Sequence, residues 1–135
     1  MKVFFGVLLT TVVNYTCGLA GFYIASNFLI PFVPQHQNNV TTYDFLWSFL
    51  LKFTIILVLT WIMYRVMSTL DTPKKRILFI FLLGSSFSIY NEVDIFWSNV
   101  SLTWSLVIII GESINWLMTG YLLSKFVKPK HLGAL

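Results

Sequence analysis

The sequence predicts an all-α membrane protein: four transmembrane helices in an up-down-up-down bundle with both termini in the cytoplasm. Three observations lead to that fold. Charged side chains make up 10% of the 135 residues and hydrophobic ones 57%, whereas an ordinary soluble domain is roughly 25% charged. The apolar residues fall into four stretches, at about 3–33, 45–64, 77–97 and 102–126, divided by polar breaks. None of the four carries the charged face, recurring every turn, of a soluble bundle helix. Finally, the Lys and Arg residues gather, with one exception, at the same ends of these stretches. One short chain of this kind forms a single integral membrane domain over residues 1–135.

The first stretch opens with Met1-Lys2 and could be read as a secretory signal, whose apolar region runs about 7–15 residues before a polar cleavage zone. Here the apolar run continues past Cys17 through Gly21-Phe22-Tyr23-Ile24-Ala25 to Ile30, so the segment is expected to be retained. Pro31 and Pro34 end it, because proline lacks the backbone donor and clashes with the preceding turn. Thr11, Asn14, Gly18, Gly21 and Ala25 lie along one stripe of it, a packing face of small residues with an amide that bonds across the interface.

The second stretch enters at Asp44 or Phe45 after the polar loop 35–39 and carries Lys52, the cation that departs from the pattern. At about 1.5 Å per residue, Lys52 lies roughly 12 Å inside the entry end. Asp71-Thr72-Pro73 and Lys74-Lys75-Arg76 then form a short loop, with Asp71 or Thr72 capping the third helix. In the third stretch Ser85, Ser88 and Glu92 share a face. If that helix runs to Trp97, Glu92 rather than Asp94 points inward; if it ends near Tyr90, both acids are solvated. The brief connection 98–101 leads into the fourth stretch.

Glu112 is the most informative residue. About ten residues into the fourth stretch, it sits roughly 15 Å deep, near the bilayer centre. A carboxylate there costs about 2.5–3.5 kcal/mol on insertion scales, so it calls for a partner or a wet cavity. Ser101, Ser105, Glu112, Asn115 and Thr119 make one polar face, and Leu106, Ile109 and Ile110 turn to lipid. Lys52 and Glu112 arrive at similar depth on helices that run in the same direction, and so can pair. The pair would serve a charged or polar ligand or a proton, or would fix helix packing; alternatively Lys52 snorkels to the head groups. With Asn14, Glu92 and Asn115 it forms a candidate polar, ligand-binding pocket in the outer half of the membrane.

Lys2, Arg65, Lys74, Lys75, Arg76, Lys125, Lys128 and Lys130 fall on one side of the four-span plan and define the cytoplasmic face. Tyr43, Trp47, Trp97 and Trp104 mark the outer interface, and Tyr64 and Tyr121 the inner one. Asn39-Val40-Thr41 and Asn99-Val100-Ser101 are glycosylation acceptor patterns on the outer side. His36 and His131 lie at opposite ends, and Cys17 is the sole cysteine, so the sequence offers no metal site and calls for no cofactor. The basic balance is a topology signal without a nucleic-acid patch. A lack of His or Cys near the acids weighs against an enzyme, although paired carboxylates can act as acid and base. Two readings remain. One is the binding or transport of a small polar or cationic solute or an ion. The other is a non-enzymatic accessory or immunity-type subunit that binds a larger membrane protein, or a second copy of itself, within the lipid bilayer.

Overall fold

The structure, a computed structural model, describes residues 2–29, 41–91 and 102–128. Among them are four α-helices: α1 (Lys2–Ile24), α2 (Thr42–Arg65), α3 (Pro73–Asn91) and α4 (Leu102–Phe126). The predicted residues 30–33 and 92–97, Glu92 with them, lie outside the described residues. Three helical segments, Lys2–Phe28, Thr42–Arg65 and Leu102–Phe126, are long and apolar enough to cross a membrane. The 19 residues of α3 begin with Lys74, Lys75 and Arg76 in the first turn, so its described part is not a fourth such helix.

Local chemistry sets the helix ends. α1 passes at Ala25 into a five-residue π-helical segment, Ala25–Leu29. There the Asn27 amide donates to the Tyr23 carbonyl at 2.8 Å and the Ser26 hydroxyl to the same oxygen at 3.1 Å, so side chains take an acceptor that the backbone ladder would otherwise use. α2 starts three residues before the expected Phe45. A capping box closes ahead of it: the Thr41 N–H donates to Asp44 Oδ2 at 2.7 Å, and Thr41 Oγ1 accepts from the Asp44 N–H. α3 starts at Pro73 rather than at Ile77, because proline is preset for a first helical position and Thr72 Oγ1 accepts from the Lys75 N–H at 3.4 Å. The basic triplet therefore belongs to a helix turn, not to a loop.

α4 packs against both α3 and α1, α1 against α2, and α2 more sparingly against α3. Val7, Ile56, Leu59, Met63, Ile80, Trp116 and Leu123 form the central cluster. Close approach depends on glycine at three places, Gly6, Gly84 and Gly120. A Cβ on Gly84 would collide with the Trp116 indole, and one on Gly120 would stand 2.8 Å from the Ile77 carbonyl oxygen. Gly6 of α1 lies against Phe126 near the end of α4, and Phe22 meets Trp104 near its start.

The distribution of polarity is the reverse of a soluble globule's. Thr10, Thr11, Asn14, Ser88, Ser105, Asn115 and Thr119 are buried between the helices, while Phe4, Trp61, Ile110 and Ile114 are exposed. An apolar exterior around a hydroxyl- and amide-rich interior suits a surrounding that offers no hydrogen bonds, which forces polar groups to satisfy one another inside.

Candidate functional site

The interior polar groups converge where α1, α2 and α4 meet. Lys52 Nζ of α2 lies 3.0 Å from Glu112 Oε2 of α4, with 21% and 25% of the two side chains exposed. This is a charge-assisted hydrogen bond joining helices sixty residues apart in sequence. The same ammonium sits 5.1 Å from the centroid of the Trp116 ring. Trp116, buried to 2% exposure, is held in turn by donating its indole N–H to Ser88 Oγ at 2.9 Å. Lys52 is thus fixed between a carboxylate and an aromatic face.

One helical turn from Glu112, a chain of hydrogen bonds ties α1 to α4. The Thr119 hydroxyl donates its hydrogen to the Asn115 carbonyl at 2.9 Å. It must therefore accept from Asn14, whose Nδ2 stands 2.7 Å away. Asn115 Nδ2 donates to the Asn14 backbone carbonyl at 3.0 Å. Both amide orientations follow from their partners. Both side-chain oxygens, Asn14 Oδ1 and Asn115 Oδ1, are left buried without a partner. An unfilled buried acceptor costs about 1–3 kcal/mol unless a donor reaches it.

Beside these groups is a cavity of about 390 Å³, lined among others by Asn14, Tyr15, Gly18, Ser48, Lys52 and Glu112. The Tyr15 hydroxyl is 2.7 Å from Ser48 Oγ, which donates to the Phe45 carbonyl, so this wall is polar and organised. A second, more apolar cavity of about 510 Å³ lies between α1 and α4 and shares Gly18 and Glu112 with the first. A Cβ at position 18 would make ordinary contacts there, 3.4 Å from Asn115 Nδ2 and 3.7 Å from Glu112 Oε1, so Gly18 lies directly against both polar side chains.

Of the residues the sequence singled out, Asn14, Lys52, Glu112 and Asn115 meet in this region, while Glu92 lies outside the described residues. Trp116, Tyr15 and Ser48 are at the site without being among the residues that the sequence predicts there. Trp116 was findable: it follows Glu112 by four positions, the spacing that puts two side chains on one helix face. Tyr15 and Ser48 carried no such signal, because their pairing depends on how α1 and α2 are rotated. Among the described residues no group of three or more His, Cys, Asp or Glu could hold a metal ion. Comparison with protein-family models, curated proteins and solved structures finds no match to this chain.

Proposed function

We propose that this chain is a multi-pass membrane protein that binds, and carries across the bilayer, a small polar or cationic solute or an ion at the Lys52–Glu112 site. The observation that carries this reading is the ion pair on the wall of the 390 Å³ cavity, beside acceptors that the protein leaves unfilled. Asn14 Oδ1 and Asn115 Oδ1 take no donor from the protein, and Lys52 engages Glu112 through Oε2. The unfilled capacity is for donors, which favours a ligand bearing N–H or O–H groups, an ammonium, or a proton. Such a ligand would compete with Lys52 for the carboxylate, so binding and release would be coupled to movement of one ammonium.

The proposal includes the bundle plan. The order of the helices is up-down-up-down, and both ends face the cytoplasm. Support comes from contacts that run in opposite order along neighbouring helices: Gly6 with Phe126 and Phe22 with Trp104, and Ile77 with Gly120 and Gly84 with Trp116. Further support comes from the cation bias of the sequence.

The test is flux in liposomes holding the purified protein and an internal pH dye, with protons and methylammonium as probes. Flux or binding that depends on pH, and that Glu112→Gln abolishes while helicity and elution position are retained, is the expected result. Stoichiometric co-purification with a larger membrane complex, with no flux of either probe at any pH, would replace solute handling by the accessory-subunit reading.

A further inference from the structure

At the opposite end of the bundle, where α3 begins and α4 ends, there is a third cavity, of about 740 Å³. Arg76, Lys125 and Lys128 line it, with Tyr121, Ser124 and Asp71. The carboxylate is already answered: Asp71 Oδ1 is 2.8 Å from Lys75 Nζ. Three cations therefore surround a space whose single acid is paired elsewhere. Lys125 Nζ rests 4.2 Å from the Tyr121 ring centroid, which holds that side chain against the cavity wall.

Arg76 is unlike its neighbours, since it is only 3% exposed. One terminal nitrogen donates to the Leu70 carbonyl at 3.0 Å and the Asp71 carbonyl at 3.2 Å, which pins the guanidinium to the connection ahead of α3. Its Nε has no hydrogen-bond partner. A guanidinium is a fork of five donors that stays charged, and burying one with a donor unfilled beside two lysines leaves a site that lacks an anion. The first-turn amides of α3 add the positive end of a helix dipole. The carbonyl end of α4 opposes them, but Lys125 and Lys128 sit on that end. A phosphodiester offers two charged oxygens that a guanidinium and an ammonium can share, stays ionised throughout the physiological pH range, and is the anion that a membrane surface supplies at this end of the bundle.

We propose that this cavity binds a phosphate group, presented by the headgroup of an anionic membrane lipid. The residues are distinct from those around Glu112, so the proposal does not depend on solute transport. It does place this end of the bundle at the membrane surface, where basic pockets between helices meet anionic headgroups.

The experiment uses the full-length protein in mild detergent and counts retained lipid by native mass spectrometry, with phosphatidylglycerol, phosphatidylcholine and inorganic phosphate as probes. Phosphatidylglycerol should be retained in preference to phosphatidylcholine. Removing each lysine should weaken retention about five-fold, so Lys125→Gln with Lys128→Gln should lower it by more than an order of magnitude. The control, Lys2→Gln with Lys74→Gln, removes the same charge away from the cavity wall and should leave retention nearly unchanged. Equal losses in both double variants, or equal retention of both lipids, would overturn the site. Retention of inorganic phosphate that excludes the lipid would keep the phosphate site and overturn its assignment to a lipid. Because Arg76 also pins the chain before α3, it is tested by Arg76→Lys, which keeps the charge and loses the fork; weaker retention is expected at a temperature where the variant keeps wild-type helicity, and wild-type retention there would remove Arg76 from the site.

Discussion

Removing both members of the Lys52–Glu112 pair should cost less than the sum of removing each alone. At 3.0 Å and an effective dielectric constant of about 20, the Coulomb attraction is about 5 kcal/mol, and desolvation of the two groups offsets much of it. Truncating one partner of a fully buried pair costs about 3–5 kcal/mol, because the survivor is left buried and uncompensated. Here a fifth to a quarter of each side chain is exposed, which lets solvent screen the survivor and reduces the figure to about 1–3 kcal/mol. Lys52→Met also forfeits the contact with the Trp116 ring, so it should be the costlier single change. Wild type, Lys52→Met, Glu112→Gln and the double variant, unfolded by heat in the same detergent, complete a double-mutant cycle. A coupling of about 1–3 kcal/mol is expected, the double variant recovering part of the sum of the single losses. Losses that add to within about 0.5 kcal/mol would refute a coupled pair and leave Lys52 a side chain that merely lies near a carboxylate.

Gly84→Val should drive a side chain into the Trp116 indole and cost about 1–3 kcal/mol as overpacking, read as a lower melting temperature. Gly111→Ala, whose Cβ would have nothing within 4 Å, should be neutral or stabilising by up to about 1 kcal/mol. The Lys75 side chain, hydrogen-bonded to Asp71, holds that carboxyl below the usual carboxylate range. Because the folded value is depressed, the contribution is present above the unfolded pKa and is lost as pH falls through the folded one. Asp71→Asn should therefore lower the melting temperature slightly near neutrality and shrink the gap from wild type in acid. In a Cys17→Ser background, Gln37→Cys should be labelled by an impermeant thiol reagent applied outside intact cells and Lys74→Cys only after permeabilisation; the reverse pattern would invert the proposed orientation.

The meeting of Asn14, Lys52, Glu112 and Asn115 was accessible to depth arithmetic because a helix converts residue count into distance and phase. Lys52 and Glu112 were bound to call for partners in an apolar surrounding, and each was the nearest opposite charge at its level. What the pattern could not supply is lateral order and rotation. Those depend on fits such as the Trp116 indole over Gly84, where a missing Cβ opposite a large ring decides how closely two helices approach. Arg76 shows the same limit at a helix end. In a run of three cations it reads as solvated, yet two carbonyl oxygens left free by the preceding turn draw it inward. Thr41 belongs to a glycosylation pattern in the sequence, whereas its pairing with Asp44 three positions on spells the start of α2.

The placement of the Lys52 ammonium against the Trp116 ring gives the protein a built-in optical reporter. Indole emission responds to a charge held near the ring, and Trp116 is shielded from its surroundings, whereas Trp47 and Trp61 are exposed. With the other four tryptophans replaced, the remaining colour of the emission follows whether Lys52 is on the carboxylate or away from it. A ligand that takes Glu112 from Lys52 would then announce itself without a label, in the protein's own fluorescence.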